Sequence, residues 1–281
     1  MSLRIITTKS PWRRDIFLHP QRRKAELMTP SVIAMCKNLA RLMPVFLLLI
    51  PAGISGHVHA ADMHEFNDYA GMVGDAPVGM TLGISGNKVA EGSHYYYRKY
   101  LKDITLTGTA GTDLRLAEPG GGLFVLHYVD NNSATVTAEN STGLAGTWSG
   151  NGHTLPVKLV AEGSGSYVPG HRYGDVTNKG DDQFEEPIKG FYDAAIAGRP
   201  ADAARFVVFP LRVNTAPQRF LIVHNASEFQ QKWNSIFSPA WLKALAAVSP
   251  HDLSVIQDKA MIGAGLAFFG ENGLEVVNSI P

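Results

Sequence analysis

The chain predicts an α+β fold in which an antiparallel β-meander is followed by a curved antiparallel sheet packed on helices. Three observations point there. From about Val78 to Val160, short runs alternate apolar and polar residues and are separated by Gly, Asn and Asp, the pattern of half-buried strands joined by tight turns. Residues 161–184 lose that pattern and read as a linker, with Glu162-Gly-Ser-Gly-Ser166, Pro169-Gly-His-Arg-Tyr173 and then the polar stretch from Asp175 to Asp182. From residue 185 the apolar spacing becomes helical before strands return.

The meander runs through Val78–Leu82, Ser93–Tyr97, Ile104–Thr107, Leu114–Leu116, Leu123–Tyr128, Thr135–Thr137, Gly146–Trp148 and Leu155–Val160. Pairing adjacent strands is favoured because a short turn closes little loop entropy. After the linker, Ile188, Phe191-Tyr192 and Ala195-Ile196 share one face of a helix over Glu186–Ala197, which Gly198 ends. Pro200 opens a short helix. Phe206–Val213 reads as a strand kinked at Pro210, and Arg219–His224 as its neighbour. Asn225 to Ser227 cap a helix over Glu228–Phe237, and Trp241–Ala247 continue as helix after Pro239. Three strands close the chain, at Leu253–Gln257, Ala260–Phe269 and Leu274–Ile280, with Glu271-Asn-Gly273 as a hairpin turn.

The region before the meander carries an address. Lys37 and Arg41 precede the apolar run Pro44–Ile54, and Val58-His59-Ala60 supplies small residues at a cleavage site. Residues 35–60 are therefore expected to be a secretory signal peptide cleaved near Ala60, and residues 1–34 an extension or a mis-assigned start. The expected location is the periplasm. Nine of the 25 Lys/Arg and two of the 25 Asp/Glu precede Ala61, leaving 16 against 23, a net of −7. That balance argues against a nucleic-acid partner, because phosphate binding is driven by Lys and Arg. No segment after the leader is long and apolar enough for a spanning helix. The single cysteine, Cys36, falls inside the leader, so disulfides and thiol chemistry are not expected.

The stretch Phe191 to Asn278, with "FYDAAIAGRPADAARFVVFPLRV", "FLIVHNASEFQQKWNSIF" and "MIGAGLAFF", resembles the NTF2-like (cystatin-like) cone of many exported bacterial proteins. The preceding "YYYRKYLKDITLTG", "LRLAE" and "GTWSGNGHTLPVKL" resemble the Tyr-rich β-meander that often accompanies it. Together they cover most of the chain after residue 60. The resemblance implies domains at 61–160 and 185–281 and a cone interior filled by Phe191, Tyr192, Phe209, Phe229, Trp233 and Phe237. Catalytic members of that architecture place an Asp/His or Asp/Tyr pair inside the cone. Asp193, Asp202, His224 and Asp252 are the polar groups available here, with Asp202 and His224 as the candidate pair.

No motif for a nucleophile, phosphate or metal is complete. His64-Glu65 opens a zinc-helix motif whose second histidine falls at Asp68. Gly83-Ile-Ser85-Gly86-Asn87 lacks the closing glycine of a nucleophile elbow. Counting Asp175 as position one of a calcium loop puts Gly180 at six and Glu186 at twelve, but Lys179 at five cannot coordinate. Asp175, Asp181 and Glu186 would hold a cation only in another geometry. No cofactor is expected. The cluster Tyr95, Tyr96, Tyr97 and Tyr100, with His94, Arg98 and Lys99, offers large rigid faces with polar tips. In a strand its alternate members face opposite sides. Tyr95, Tyr97, Arg98, Trp148 and Trp233 are the candidate binding residues. These features together suggest a non-enzymatic binding protein whose partner is another envelope or secreted protein, an inhibitor or immunity role being one form. A small-molecule or catalytic cone and a structural envelope component are the alternatives.

Overall fold

A strand outside the expected meander, β1 (His64–Val73), decides the architecture. The computed structural model describes residues 62–279. The expected leader and its cleavage site lie outside the described residues. β1 pairs antiparallel with β2 (Ala76–Ser85) on one side and with β10 (His153–Tyr167) on the other. From β10 the ladder runs through β9 (Gly143–Gly150), β8 (Leu123–Val129), β7 (Leu114–Ala117), β6 (Thr107–Ala110) and β3 (Lys88–Val89) back to β2. The result is a closed eight-stranded antiparallel barrel. Closure pairs the backbone groups that an open meander would leave on its two edges.

The barrel interior follows from alternation. Val78, Met80 and Leu82 of β2 point inward with Tyr69, Leu116, Phe124, Leu126 and Leu159. Their neighbours Gly79, Thr81 and Gly83 face outward yet are also buried, so something covers that outer face. Gly71 is required where β1 crosses β10, since a Cβ there would collide with the Lys158 carbonyl. β4 (His94–Tyr97) adds to the outside of the ring by pairing with the first half of β2, and β5 (Ile104–Thr105) pairs with β4.

The covering layer is the rest of the chain. Barrel and C-terminal elements belong to one compact unit. α1 (Asp181–Ile196) buries Phe184, Ile188, Phe191 and Ala195, one stripe of a helix. α2 (Pro200–Ala203), α3 (Ala226–Gln231), α4 (Trp233–Ile236) and α5 (Pro239–Ala246) are short. Their Phe229, Trp233, Phe237 and Trp241 pack edge-on and tilted in series. The second sheet has six strands, β11 (Val207–Ala216), β12 (Arg219–Val223), β13 (Ser254–Ile256), β14 (Lys259–Ile262), β15 (Ala267–Gly270) and β16 (Gly273–Asn278), in the order β12-β11-β16-β15-β14-β13. No helix among the described residues is long and apolar enough to cross a membrane.

The fold class expected from the sequence is therefore corrected. Strand makes up 46% of the described residues and helix 20%. The first sheet is a closed barrel instead of an open meander. The second is mixed, because β11 and β16 run parallel, and a curved antiparallel sheet packed on helices is not what the chain builds. The physical reason lies in β1 and β10. The Gly/Ser run at 163–166 continues β10 as strand, opposite Glu65 to Asp68, and these two long strands close the ring. Two smaller differences follow from turn chemistry. The expected strand Ala260–Phe269 splits into β14 and β15 because Gly263 and Gly265 turn the chain at φ +61° and +87°, and α1 starts five residues before Glu186.

Phe124 is fully buried in the barrel, so Phe124→Ala is expected to remove about 3–5 kcal/mol of stability. Tyr100→Ala, at a side chain 68% exposed, should stay within about 0.5 kcal/mol. Urea unfolding of both variants checks the assignment of the core.

Candidate functional site

Three adjacent strands place a polar row on the covered outer face of the barrel. Asp68 of β1 lies opposite Thr81 of β2, and Thr81 lies opposite His94 of β4. The Thr81 hydroxyl donates to Asp68 at 2.7 Å. Tyr96, two residues on, shares that face, and its ring lies across Gly79, where any Cβ would overlap it. Onto this row the C-terminal part lays four charged groups: Arg172, Glu185 of α1, and the consecutive pair His251 and Asp252.

Arg172 is the centre. Its guanidinium grips Asp68 with two hydrogen bonds of 2.7 and 2.8 Å and donates to Thr81 at 2.8 Å. Its Nε lies 3.3 Å from Asp252 Oδ1, and the Tyr167 ring lies beneath it, 4.7 Å from ring centroid to guanidinium carbon. Burial disfavours the Arg172 charge, but the Asp252 and Asp68 carboxylates reverse that and hold its pKa well above the usual value. Asp252 shows the converse: burial pushes its pKa up, and Arg172 and His94 pull it far below the usual carboxylate range. Its backbone is left-handed at φ +56°, and its N–H donates to Glu185 at 2.9 Å.

Two imidazoles complete the cluster. His94 Nδ1–H donates to the Gly92 carbonyl at 2.8 Å, which turns Nε2 toward Asp252 Oδ2 at 2.8 Å and Asp103 Oδ1 at 3.5 Å. His251 Nδ1–H donates to Glu185, and its Nε2 faces Asp103 Oδ1 at 2.8 Å. Glu185 is held in turn by the Tyr173 hydroxyl and by Lys189 at 2.9 Å. Burial lowers the pKa of both rings. The carboxylates outweigh it: Asp252 lifts His94 to about 8, while Asp103 and Glu185 lift His251 to about 10. Among the described residues, His94, Asp103, His251 and Asp252 form a group whose ligand atoms all lie within 4.8 Å of one another.

Beside this cluster lies a cavity of about 420 Å³. Asp68, Thr81, Tyr96, Ser249, His251, Asp252 and Ser254 line its polar side, and Val248, Leu253, Met261 and Ala264 its apolar side. Glu162 stands at its edge because the β1–β10 register skips it, with Asp68 opposite Gly163 and Tyr69 opposite Ala161. Such a bulge re-aims one side chain. Partial burial raises the Glu162 carboxyl pKa, Arg98 opposes that, and Asp68 adds to it.

The residues singled out from sequence scatter. Tyr95 is in the barrel core with its hydroxyl on Glu118, so it presents no outer surface. Tyr96 is buried on the opposite face, since the covering layer closes the side that alternation leaves outward. Tyr97, with Ala76, Pro77, Lys99 and the exposed Tyr100, frames a shallow depression. Arg98 is half-buried, and Trp148 packs against the barrel core. Trp233 is buried in the C-terminal core. Asp202 pairs with Arg199 on the surface and His224 is exposed, with no hydrogen bond or ion pair joining them. Asp175 and Glu186 are exposed and Asp181 accepts a long bond from the Tyr173 N–H at 3.4 Å. The convergent group is elsewhere: His94 and Asp252 stood in different candidate sets, and Asp103, Arg172 and His251 stood in none. The available signal for the rest was β2 itself, where small residues alternate with Val78, Met80 and Leu82 and mark an outer face with a lid. Comparisons with protein-family models, with curated proteins and with solved structures returned no match, and the resemblance to the NTF2-like cone gains no support from them.

Two outcomes are expected. Arg172→Met leaves Asp68 and Asp252 buried without their cation and should cost about 3–5 kcal/mol in urea unfolding. The second concerns pH, with EDTA present. Both histidines titrate above 6.5 in the folded chain, so their stabilisation is complete below pH about 6.5 and is lost as pH rises through about 8 and then about 10. The His94 share is about 2 kcal/mol. His94→Gln should flatten the part of the stability profile between pH 6.5 and 8.

Proposed function

We propose that this chain is an exported, non-enzymatic binding protein that takes a small amphipathic molecule carrying an amine in the cavity between barrel and C-terminal sheet. The cavity carries the reading. Its volume of about 420 Å³ falls in the range of small-molecule sites, and its wall combines an apolar side with a few fixed polar groups. The charge on that wall favours a cation. Asp68 and Asp252 are answered by Arg172 and His94, which leaves a cationic ligand to Glu162 at the edge, whose carboxylate has no ion pair among the described residues. The net of −7 after residue 60 attracts the same kind of ligand over longer range.

A binding role is preferred to catalysis because, among the described residues, neither imidazole is aimed at a wall hydroxyl and two of those hydroxyls already have partners. Thr81 donates to Asp68 and accepts from Arg172, and Ser249 accepts from the His251 N–H at 3.2 Å. A nucleophile needs a base aimed at it, and the two imidazoles are turned to carboxylates instead. The expected protein partner on the Tyr95–Tyr100 stretch has less to stand on, since Tyr95 and Tyr96 are buried.

Thermal unfolding with phenethylamine and cadaverine, against their neutral hydroxyl counterparts, tests the proposal. The amines should raise the Tm and the alcohols should not. Ser254→Trp, which fills the cavity, and Glu162→Gln should each remove the effect. An equal shift in Ser254→Trp, or none with any amine, overturns the reading.

A further inference from the structure

We propose that His94, Asp103, His251 and Asp252 form a binding site for one divalent transition-metal ion, of the zinc class, that ties β4 of the barrel to the loop before β13. This is independent of the ligand assigned to the cavity.

The geometry is that of a ligand set turned inward. Each ring has its Nδ1–H committed to an outside acceptor, Gly92 for His94 and Glu185 for His251. That leaves both Nε2 atoms directed at carboxylate oxygens, 2.8 Å from Asp252 Oδ2 and 2.8 Å from Asp103 Oδ1, with His94 Nε2 also 3.5 Å from the latter. A ring nitrogen and a carboxylate oxygen at that distance need a positive centre between them, a proton on each Nε2 in the metal-free chain or one metal ion in place of both. Ligand atoms around a tetrahedral zinc, at about 2.0–2.2 Å from the ion, lie roughly 3.3 Å from one another. The four atoms here all fall within 4.8 Å, so small side-chain rotations bring them onto one ion.

The surroundings have the form of an outer shell. A ligating histidine ordinarily donates its other N–H to a carbonyl or carboxylate, and both do. Asp252 turns Oδ2 to His94 while Oδ1 is held by Arg172. Glu185 is fixed by Tyr173, Lys189 and the Asp252 N–H. Only Asp103 is open, its side chain 47% exposed, which gives the ion a route in and leaves space for water.

Charge counting agrees. Asp68, Asp103, Glu185 and Asp252 carry four negative charges, and Arg172 and Lys189 carry two positive ones. In the metal-free chain two protonated rings balance the remainder, and one divalent cation that displaces both protons keeps the same balance. Two histidines with two carboxylates suit zinc or its first-row neighbours and not calcium, which takes six to eight oxygens.

The test uses the purified chain stripped with EDTA and titrated with ZnCl₂ alone, read by calorimetry and by thermal unfolding. One equivalent of zinc should bind and raise the Tm, and CaCl₂ should do neither. Asp103→Asn, at an exposed position that should leave the fold intact by circular dichroism, and His94→Gln should each weaken binding by about 100-fold or more. CoCl₂ in place of zinc should give the visible absorption of a four-coordinate nitrogen–oxygen site, absent in Asp103→Asn. No saturable binding, or the same affinity in wild type and Asp103→Asn, overturns the proposal, the second result meaning that zinc sits on other histidines. Ser254→Trp should keep its zinc affinity whatever happens to amine binding.

Discussion

The structure depends on one buried guanidinium. Arg172 leaves the end of β10 and reaches Asp68 on β1 and Asp252 on the loop before β13, so a single side chain joins the barrel wall to the layer that covers it. Moving such a group out of water costs several kcal/mol, and an ion pair inside a protein commonly no more than offsets that. What it supplies instead is position. Each carboxylate needs this cation, and the cation accepts them only in the plane of its donors. Sliding the C-terminal layer along the barrel would separate the guanidinium from one of its two buried carboxylates. An apolar interface alone would tolerate that slide far better, because hydrophobic contact has no direction.

This dependence explains which parts were legible in the sequence. The stripe Ile188, Phe191, Ala195 shows as period 3.6, and Val78, Met80, Leu82 as period two. Both signals are local. Barrel closure is not local: β1 carries Asn67, Asp68, Ala70 and Gly71, and its partner in β10 is the Gly/Ser run that composition assigns to a linker. Arg172 stood in that same linker and read as solvated. It is buried because Asp68, 104 positions earlier, meets it, and no window of sequence contains both. Glu185 is the one member of an acidic run that turns inward, and its neighbour Glu186 stays exposed. Helical phase alone selects between them, since Glu185 lies one residue from Phe184 and three from Ile188 on the buried stripe.

The tyrosine cluster shows the same limit from the other side. Alternation separates Tyr95 and Tyr97 from Tyr96, as a strand must. On an open sheet one of those faces would meet water. Here the barrel interior takes Tyr95 and the covering layer takes Tyr96, whose ring stands edge-on to His251 at 4.5 Å. A residue pattern fixes which side chains share a face. It does not report how many faces are covered, and that number separates a recognition surface from a core.

Asp252 is where the remaining exceptions meet. It holds a left-handed backbone that suits glycine better, at a cost of about 1 kcal/mol for other residues. It buries a charge, and it borders both the cavity and the imidazole cluster. A glycine there would relax the backbone and keep the N–H bond to Glu185, so neither backbone shape nor capping of Glu185 calls for a carboxylate. The carboxylate serves Arg172 on one oxygen and His94, with a longer contact from the Thr81 hydroxyl, on the other. Strain and desolvation at one position, with no local reason for either, are what a binding centre imposes on its surroundings. The same side chain that fixes the register of the two layers therefore also aims the cluster, and the chain cannot lose one of these roles without the other.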